Sequence, residues 1–213
     1  LCRFYDVKET KNGGYILAGE TGNFGNLSGY HGGVPLQDRD VYLIKINTAG
    51  TIEWTKTYGV SLWHEGAYSI EQTSDDGFII GGWREEDNSG YGLEKSATLI
   101  KVNAVGTLQW AKTYAGLNPR FKSNTTGEGK RDGEFYSVLP TNDGGYIATG
   151  RNFSILSNDH EQQNGAWIVK TDNKGALQWT RQYHVESSFE SGGNVKLLAT
   201  YDGGYLLNAD IGC

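Results

Sequence analysis

The stretch Asp143-Gly144-Gly145-Tyr146-Ile147 reveals the organisation of this chain, because similar stretches occur at residues 12–17, 76–80 and 202–207. Their aromatic members lie 63, 68 and 59 residues apart, at Tyr15, Phe78, Tyr146 and Tyr205. Asn-Gly or Asp-Gly before an apolar run is typical of a β-hairpin, and we expect a type I′ turn with positive φ at both central residues. The sequence therefore predicts an internally repeated, all-β chain.

A second pattern follows in three of the four copies. An apolar strand ends in a lysine (Lys45, Lys101 or Lys170), and after a polar turn a final strand carries a tryptophan (Trp54, Trp110 or Trp179). We expect the lysines to make a structural hydrogen bond or ion pair within each unit. We expect the tryptophans to pack between sheets, since a residue repeated at one position is usually architectural.

Four strands in about 60 residues cannot bury both faces of a sheet, so neighbouring units must stack. We predict a β-propeller-like array of four-stranded antiparallel blades in one repeat domain; a twisted stack or solenoid is the rival. The predicted units are residues 3–64, 65–131 and 132–191, with a partial unit at 192–213. A half-finished blade needs either more chain or a partner strand that completes its edge.

The pairing of Asp-Gly-Gly-Tyr-Ile with Gly-x-x-x-Trp-x-Lys-x-Tyr resembles the repeats of bacterial and archaeal cell-surface propeller proteins. It is more distantly similar to the blades of quinoprotein-type propellers. The resemblance covers nearly the whole chain apart from the long loops. It implies an extracellular or cell-surface protein, and it transfers no catalytic residue because the shared residues belong to the scaffold.

Composition excludes some classes of partner. The net charge is −6 and the pI is near 5.2, which argues against nucleic acid. No apolar run approaches the roughly 20 residues that a membrane span needs. The two cysteines, Cys2 and Cys213, are either unrelated thiols or a disulfide that ties the ends within one chain or between chains. Three sequons, which we place in or beside loops, are candidate N-glycosylation sites: Asn26, Asn124 and Asn152.

The loops after the second strand of each unit, at about 21–40, 84–96 and 151–165, should project from one face. They carry acidic and aromatic residues that are candidates for binding carbohydrate, Ca²⁺ or a basic protein surface: Tyr30, Asp38, Asp40, Glu85, Asp87, Tyr91 and Asp159. No catalytic constellation, zinc spacing or cofactor motif is visible, so we expect neither metal nor cofactor.

These features predict a non-enzymatic, extracellular structural or adhesive module that self-assembles through its incomplete blade into an oligomer or filament. The alternative is a lectin-like propeller that binds glycans through its loops. A quinone-dependent oxidoreductase is the third hypothesis, and it rests on the distant blade resemblance alone.

Overall fold

In the computed structural model of the 213-residue chain, every regular element among the described residues is a β-strand. The residues it describes are 2–22, 30–31, 34–35, 39–60, 63–87, 93–114, 131–155, 162–184 and 195–209.

Three four-stranded antiparallel sheets and one two-stranded sheet follow one another along the chain. Sheet 1 contains β1 (Cys2–Glu9), β2 (Tyr15–Thr21), β5 (Asp40–Ile46) and β6 (Ile52–Tyr58). Sheet 2 contains β7 (His64–Gln72), β8 (Phe78–Asp87), β9 (Leu93–Val102) and β10 (Leu108–Tyr114). Sheet 3 contains β11 (Arg131–Pro140), β12 (Tyr146–Ile155), β13 (Gln162–Thr171) and β14 (Leu177–His184). The half sheet contains β15 (Val195–Ala199) and β16 (Tyr205–Ala209), while β3 (Tyr30–His31) and β4 (Val34–Pro35) form a small ribbon.

The hairpin turn between the first two strands differs from the predicted type I′ turn. In the first copy the Gly13 amide bonds to the Thr10 carbonyl and the Thr10 amide to the Gly14 carbonyl. Only one residue per turn has positive φ: Gly13, Asp76, Gly144 or Gly203. This is the pattern of a type I turn followed by one left-handed residue, so the Asn-Gly and Asp-Gly signal located the hairpin but gave the wrong turn type.

A β-bulge interrupts the first strand of each four-stranded sheet. In sheet 1 the register shifts between Phe4 and Asp6, which leaves Tyr5 as the extra residue. The same shift isolates Tyr68 in β7 and Tyr136 in β11. Each bulge faces a glycine of the second strand (Gly19, Gly82 or Gly150), where an added Cβ would lie 1.7 to 1.9 Å from a carbonyl oxygen of the first strand. The bulge therefore requires glycine there, and it redirects a tyrosine side chain.

The hydrophobic core lies between successive sheets. Ile16 and Leu43 of sheet 1 pack with Ile70 and Phe78 of sheet 2. On the opposite face of sheet 2, Ile79 packs with a second cluster that contains residues of sheet 3. A third cluster joins Ile147 and Ile168 of sheet 3 to Leu197 of the half sheet. Sheets 2 and 3 therefore contribute to two cores each, through alternate residues of their strands.

One hydrogen bond repeats at every junction between sheets. Asp6 accepts the backbone N–H of Ile70 through Oδ2 at 3.0 Å. At the equivalent positions, the Ser69 hydroxyl accepts the Val138 N–H and the Ser137 hydroxyl accepts the Leu197 N–H, both at 3.2 Å. In β7 and β11 the extra bulge residue interrupts the ladder beside the donating amide, so this bond supplies the amide with a partner. At all three junctions the bond links neighbouring sheets.

The final strands contribute a second repeated contact. Tyr58 donates to the Gly106 carbonyl at 2.6 Å, and Tyr114 donates to the Gly175 carbonyl at 2.7 Å, each in the next sheet. Beside these bonds the predicted tryptophans pack across the same junctions: Trp54 on Phe78, with ring centroids 6.2 Å apart, and Trp110 on Tyr146, at 5.8 Å. Trp179 differs, since it is 44% exposed.

The repeated lysines are buried and lie within hydrogen-bonding distance of acceptors in their own unit. Lys101 donates to both carboxylate oxygens of Asp75, at 3.1 and 2.9 Å, and to Gln109 at 3.0 Å. Lys170 has the same arrangement with Asp143 and Gln178.

Unit 1 reverses the positions of acid and amide. Asn12 stands where the other units have the turn aspartate, and Glu53 stands where they have glutamine. Lys45 therefore pairs with Glu53. Each of units 1 to 3 therefore keeps one carboxylate beside one buried ammonium, since an unpaired buried charge would be costly.

We predict that Lys45 can be paired equally well by a carboxylate at position 53 or at position 12. Glu53→Gln should destabilise the chain by about 2 kcal/mol, less than for a fully buried pair because Glu53 keeps 35% of its side chain exposed. Adding Asn12→Asp should recover most of the loss by restoring the arrangement of the other units. Urea unfolding of the two single variants and the double variant measures the coupling; a double variant as unstable as Glu53→Gln would contradict it.

Candidate functional site

The first strands of the four units line one cavity. It has a volume of about 850 Å³, within the range of small-ligand sites. Each of β1, β7, β11 and β15 contributes residues at equivalent positions, and charged side chains and tyrosines predominate over the few apolar ones. The cavity is therefore formed by equivalent positions of the repeated units.

Three tyrosines form a row along the cavity. They are the bulge residues, and they occupy the same position in units 1 to 3. The ring centroids of Tyr5 and Tyr68 are 5.1 Å apart in an edge-to-face contact, and those of Tyr68 and Tyr136 are also 5.1 Å apart. Such contacts hold the rings in fixed orientations relative to one another.

Glu134 is the most deeply buried charge at the cavity, with 2% of the residue exposed. Its Oε1 accepts a hydrogen bond from Lys95 Nζ at 2.7 Å, and its Oε2 lies 3.1 Å from Arg151 Nε. The Tyr136 hydroxyl also donates to Oε2. Because Lys95 belongs to sheet 2, this network joins sheets 2 and 3.

The network changes the acidity of its members. Burial alone would raise the pKa of Glu134, but Lys95, Tyr136 and Arg151 lower it below its usual value. Burial and the neighbouring Glu134 carboxylate raise the pKa of Tyr136. Burial raises the pKa of Tyr68 as well, and Glu134 adds to that effect. The site thus holds an ionised carboxylate beside protonated phenols at neutral pH.

Three hydroxyl groups at the cavity have hydrogens without an acceptor among the described residues. The Tyr5 hydroxyl donates to Glu20 at 3.2 Å, but the Tyr68 hydroxyl has no such partner in the described part of the chain. Ser69 and Ser137 accept backbone amides, which leaves their own hydroxyl hydrogens available. The cavity can therefore donate hydrogen bonds to a polar ligand.

The predicted loop-face residues fall largely outside this site. Asp38, Tyr91 and Asp159 lie outside the described residues. Tyr30 lies in β3 and Asp87 in β8, Asp40 begins β5, and Glu85 lies in β8 opposite Lys95. The loops are shorter than predicted, because β8 extends to Asp87 and β12 to Ile155. Asp40 and Glu85, the two of these residues whose side chains the structure describes, do not line the cavity.

The predicted covalent features have different locations. Asn152 lies in β12 with 4% exposed, opposite Gly133 and Gly165, so it is not in a loop and is poorly placed for a glycan in the folded chain. Asn26 and Asn124 lie outside the described residues. Cys2 is an exposed free cysteine whose Sγ is 3.1 Å from Thr21 Oγ1. Cys213 lies outside the described residues. The described part of the chain contains no disulfide, so a disulfide between the two cysteines stays a prediction.

The tyrosine row and the Glu134 network were not identified from the sequence. A signal for the tyrosines exists, because Tyr5, Tyr68 and Tyr136 each lie ten residues before the turn aromatic of their unit. In unit 1 the positions of Glu134 and Arg151 hold Arg3 and Glu20, an ion pair with the charges exchanged. Unit 2 has Gly66 and Trp83 there, so Glu134, Lys95 and Arg151 do not repeat as a set. Their meeting depends on how sheets 2 and 3 pack, which a repeat pattern does not specify.

Comparison with known proteins gives little guidance. No family model and no curated protein matches the chain. Among solved structures, a protein of unknown function from Bacteroides caccae matches 85% of this chain and 82% of its own, with a TM-score of 0.33 and 9% identity. In the described part of the chain there is no group of three or more potential metal ligands, and no helix there could cross a membrane.

We predict that ionised Glu134 stabilises the folded chain at neutral pH and that this stabilisation is lost in acid. Its pKa is lower in the folded chain than its usual 4.5, so its contribution is complete above about pH 4.5 and is lost as the pH falls through the lowered value. Glu134→Gln should cost about 3 kcal/mol at pH 7 and should flatten the decline in acid. Urea unfolding from pH 7 to pH 3 tests this, with the exposed Glu9→Gln as control; parallel profiles for wild type and Glu134→Gln would contradict it.

Proposed function

We propose that this chain is a non-enzymatic structural repeat module that associates through its end sheets. The observation that supports this proposal is that equivalent residues are buried at internal junctions and exposed at the two ends. Val7 is 55% exposed, whereas its counterparts Ile70 and Val138 are fully buried. At the other end Leu206 is 56% exposed, whereas its counterpart Ile147 is 2% exposed.

The end sheets therefore carry surfaces that the fold uses elsewhere as interfaces. Tyr15 is 43% exposed, although Phe78 at the same position is fully buried. Apolar groups gain about 25 cal/mol per Å² when removed from water, so these surfaces favour a covering partner. The half sheet adds an edge, because within the described residues β16 pairs only with β15.

A propeller-like arrangement of the sheets is part of the proposal. The first strands contact one another in series, β1 with β7, β7 with β11 and β11 with β15, and all four line the same cavity. Radial stacking around an axis places first strands innermost in this way. An extracellular setting, which the sequence resemblance implies, belongs to the proposal as well.

We predict concentration-dependent association of the wild-type chain. Sedimentation velocity over roughly a hundredfold range of concentration should show the mean mass rising, as mass action requires. A discrete upper mass would indicate a closed ring, and continued growth a filament. A single monomeric species throughout the range would contradict the proposed function.

A second candidate function is lectin-like binding of glycans, now in the cavity. The Tyr68 hydroxyl supports it, because Tyr68 lines the cavity and its hydroxyl has no acceptor among the described residues. Sugar hydroxyls are suitable acceptors, and the tyrosine row offers rings against which a sugar can pack. This function requires no assembly.

We predict that Tyr68→Phe weakens any glycan binding by about three- to tenfold, because it removes one hydrogen bond and keeps the ring. A glycan array identifies the ligand, and titration calorimetry compares the variants. Tyr201→Phe is the matched control, since Tyr201 is fully exposed in a turn. An array without binding, or equal affinities for both variants, would contradict this second candidate.

A further inference from the structure

The internal junctions share a polar contact whose chemistry changes at the end of the series. At three successive junctions, an oxygen of Asp6, Ser69 or Ser137 accepts a backbone N–H of the next sheet. The fourth unit has Lys196 at this position. An ammonium group only donates, so Lys196 cannot accept an amide as the other three residues do.

The first sheet carries the matching change. The amides of Ile70, Val138 and Leu197 each donate to the preceding sheet, and Val7 is the equivalent residue of unit 1. The Val7 N–H instead donates to Oδ1 of its neighbour Asp6 at 2.9 Å. The Val7 N–H is therefore already paired, so a sheet stacked before sheet 1 needs no acceptor there, and the paired group is a carboxylate. The Asp6 carboxylate therefore favours a hydrogen-bond donor, rather than an acceptor, on the stacked sheet.

The two ends are thus complementary in chemistry. Lys196 forms no ion pair with any described residue, and it lies on the half sheet whose Leu198 and Leu206 are 58% and 56% exposed. Asp6 lies on the sheet whose Phe4 and Val7 are 40% and 55% exposed. Each carboxylate oxygen has capacity for more than one hydrogen bond, so Asp6 can keep its Ile70 contact and accept another donor.

We infer that the partner of each end is a second copy of this chain, with the half sheet of one copy stacked on sheet 1 of the next and Lys196 paired with Asp6 of that second copy. The inference rests on the proposed function and names its partner. The proposed contact continues the sheet stacking seen at three junctions within the chain. At those junctions a side-chain oxygen accepts a hydrogen bond from the next sheet, whereas here Lys196 donates to the next sheet. The contact is head-to-tail, so it closes into a ring or extends into a filament.

Lys196→Glu tests the proposed pair of Lys196 with Asp6, because it places two carboxylates at the junction between two copies. It should weaken association at least about tenfold relative to wild type. Adding Asp6→Asn should recover most of that loss, because asparagine keeps an oxygen for the Ile70 amide and loses the negative charge. Lys174→Glu makes the same charge change in an exposed turn and should associate like wild type.

The apolar surface is tested by Val7→Thr, which keeps the shape of an exposed side chain. It should weaken association severalfold, whereas Val105→Thr, at a residue 62% exposed in a turn, should not. Sedimentation velocity measures association, and circular dichroism confirms that every variant keeps its strands.

The outcomes separate this inference from the proposed function. Association of Lys196→Glu at wild-type strength, or no recovery on adding Asp6→Asn, would overturn the inference and leave self-association standing. Failure of the wild-type chain to associate would overturn both. Weakening by Lys174→Glu equal to that by Lys196→Glu would also overturn the inference, because net charge rather than the junction would then explain the effect.

Discussion

Each internal sheet has to bury two apolar faces at once, and the rest of the architecture follows from this constraint. In β8, Ile80 packs toward sheet 1 while the adjacent Ile79 packs toward sheet 3. A sheet with two such faces is stable only between two neighbours, so stacking is built into the alternation of the strands. The repeated polar contacts then fix spacing and register, and the bulge tyrosines gather where the first strands converge.

Most of the fold was accessible from the sequence because its signals are local. Turn residues located the hairpins, and the predicted final strands with Trp54, Trp110 and Trp179 correspond to β6, β10 and β14. The turn type was wrong because Asn-Gly and Asp-Gly suit more than one turn. The loops were drawn too long because charged residues such as Glu85 continue β8 rather than ending it.

The candidate site was largely inaccessible for the opposite reason. Glu134 meets Lys95 across a separation of 39 residues, and only the packing of two sheets brings them together. In contrast, the swap of acid and amide in unit 1, with Asn12 at the aspartate position and Glu53 at the glutamine position, is visible in the aligned units. Recognising it requires knowing that both side chains converge on one buried lysine, which is a property of the folded hairpins.

The coverage of the sheets has a consequence for the order in which the chain opens. Sheet 2 has a neighbour on each side, whereas sheet 1 and the half sheet each have an exposed outer face. In a nearest-neighbour array, opening therefore proceeds inward from the ends, and amide hydrogens of β8 and β9 exchange most slowly. The middle of the chain is therefore the slowest part to open. Any partner that covers an end sheet should slow amide hydrogen exchange in that sheet.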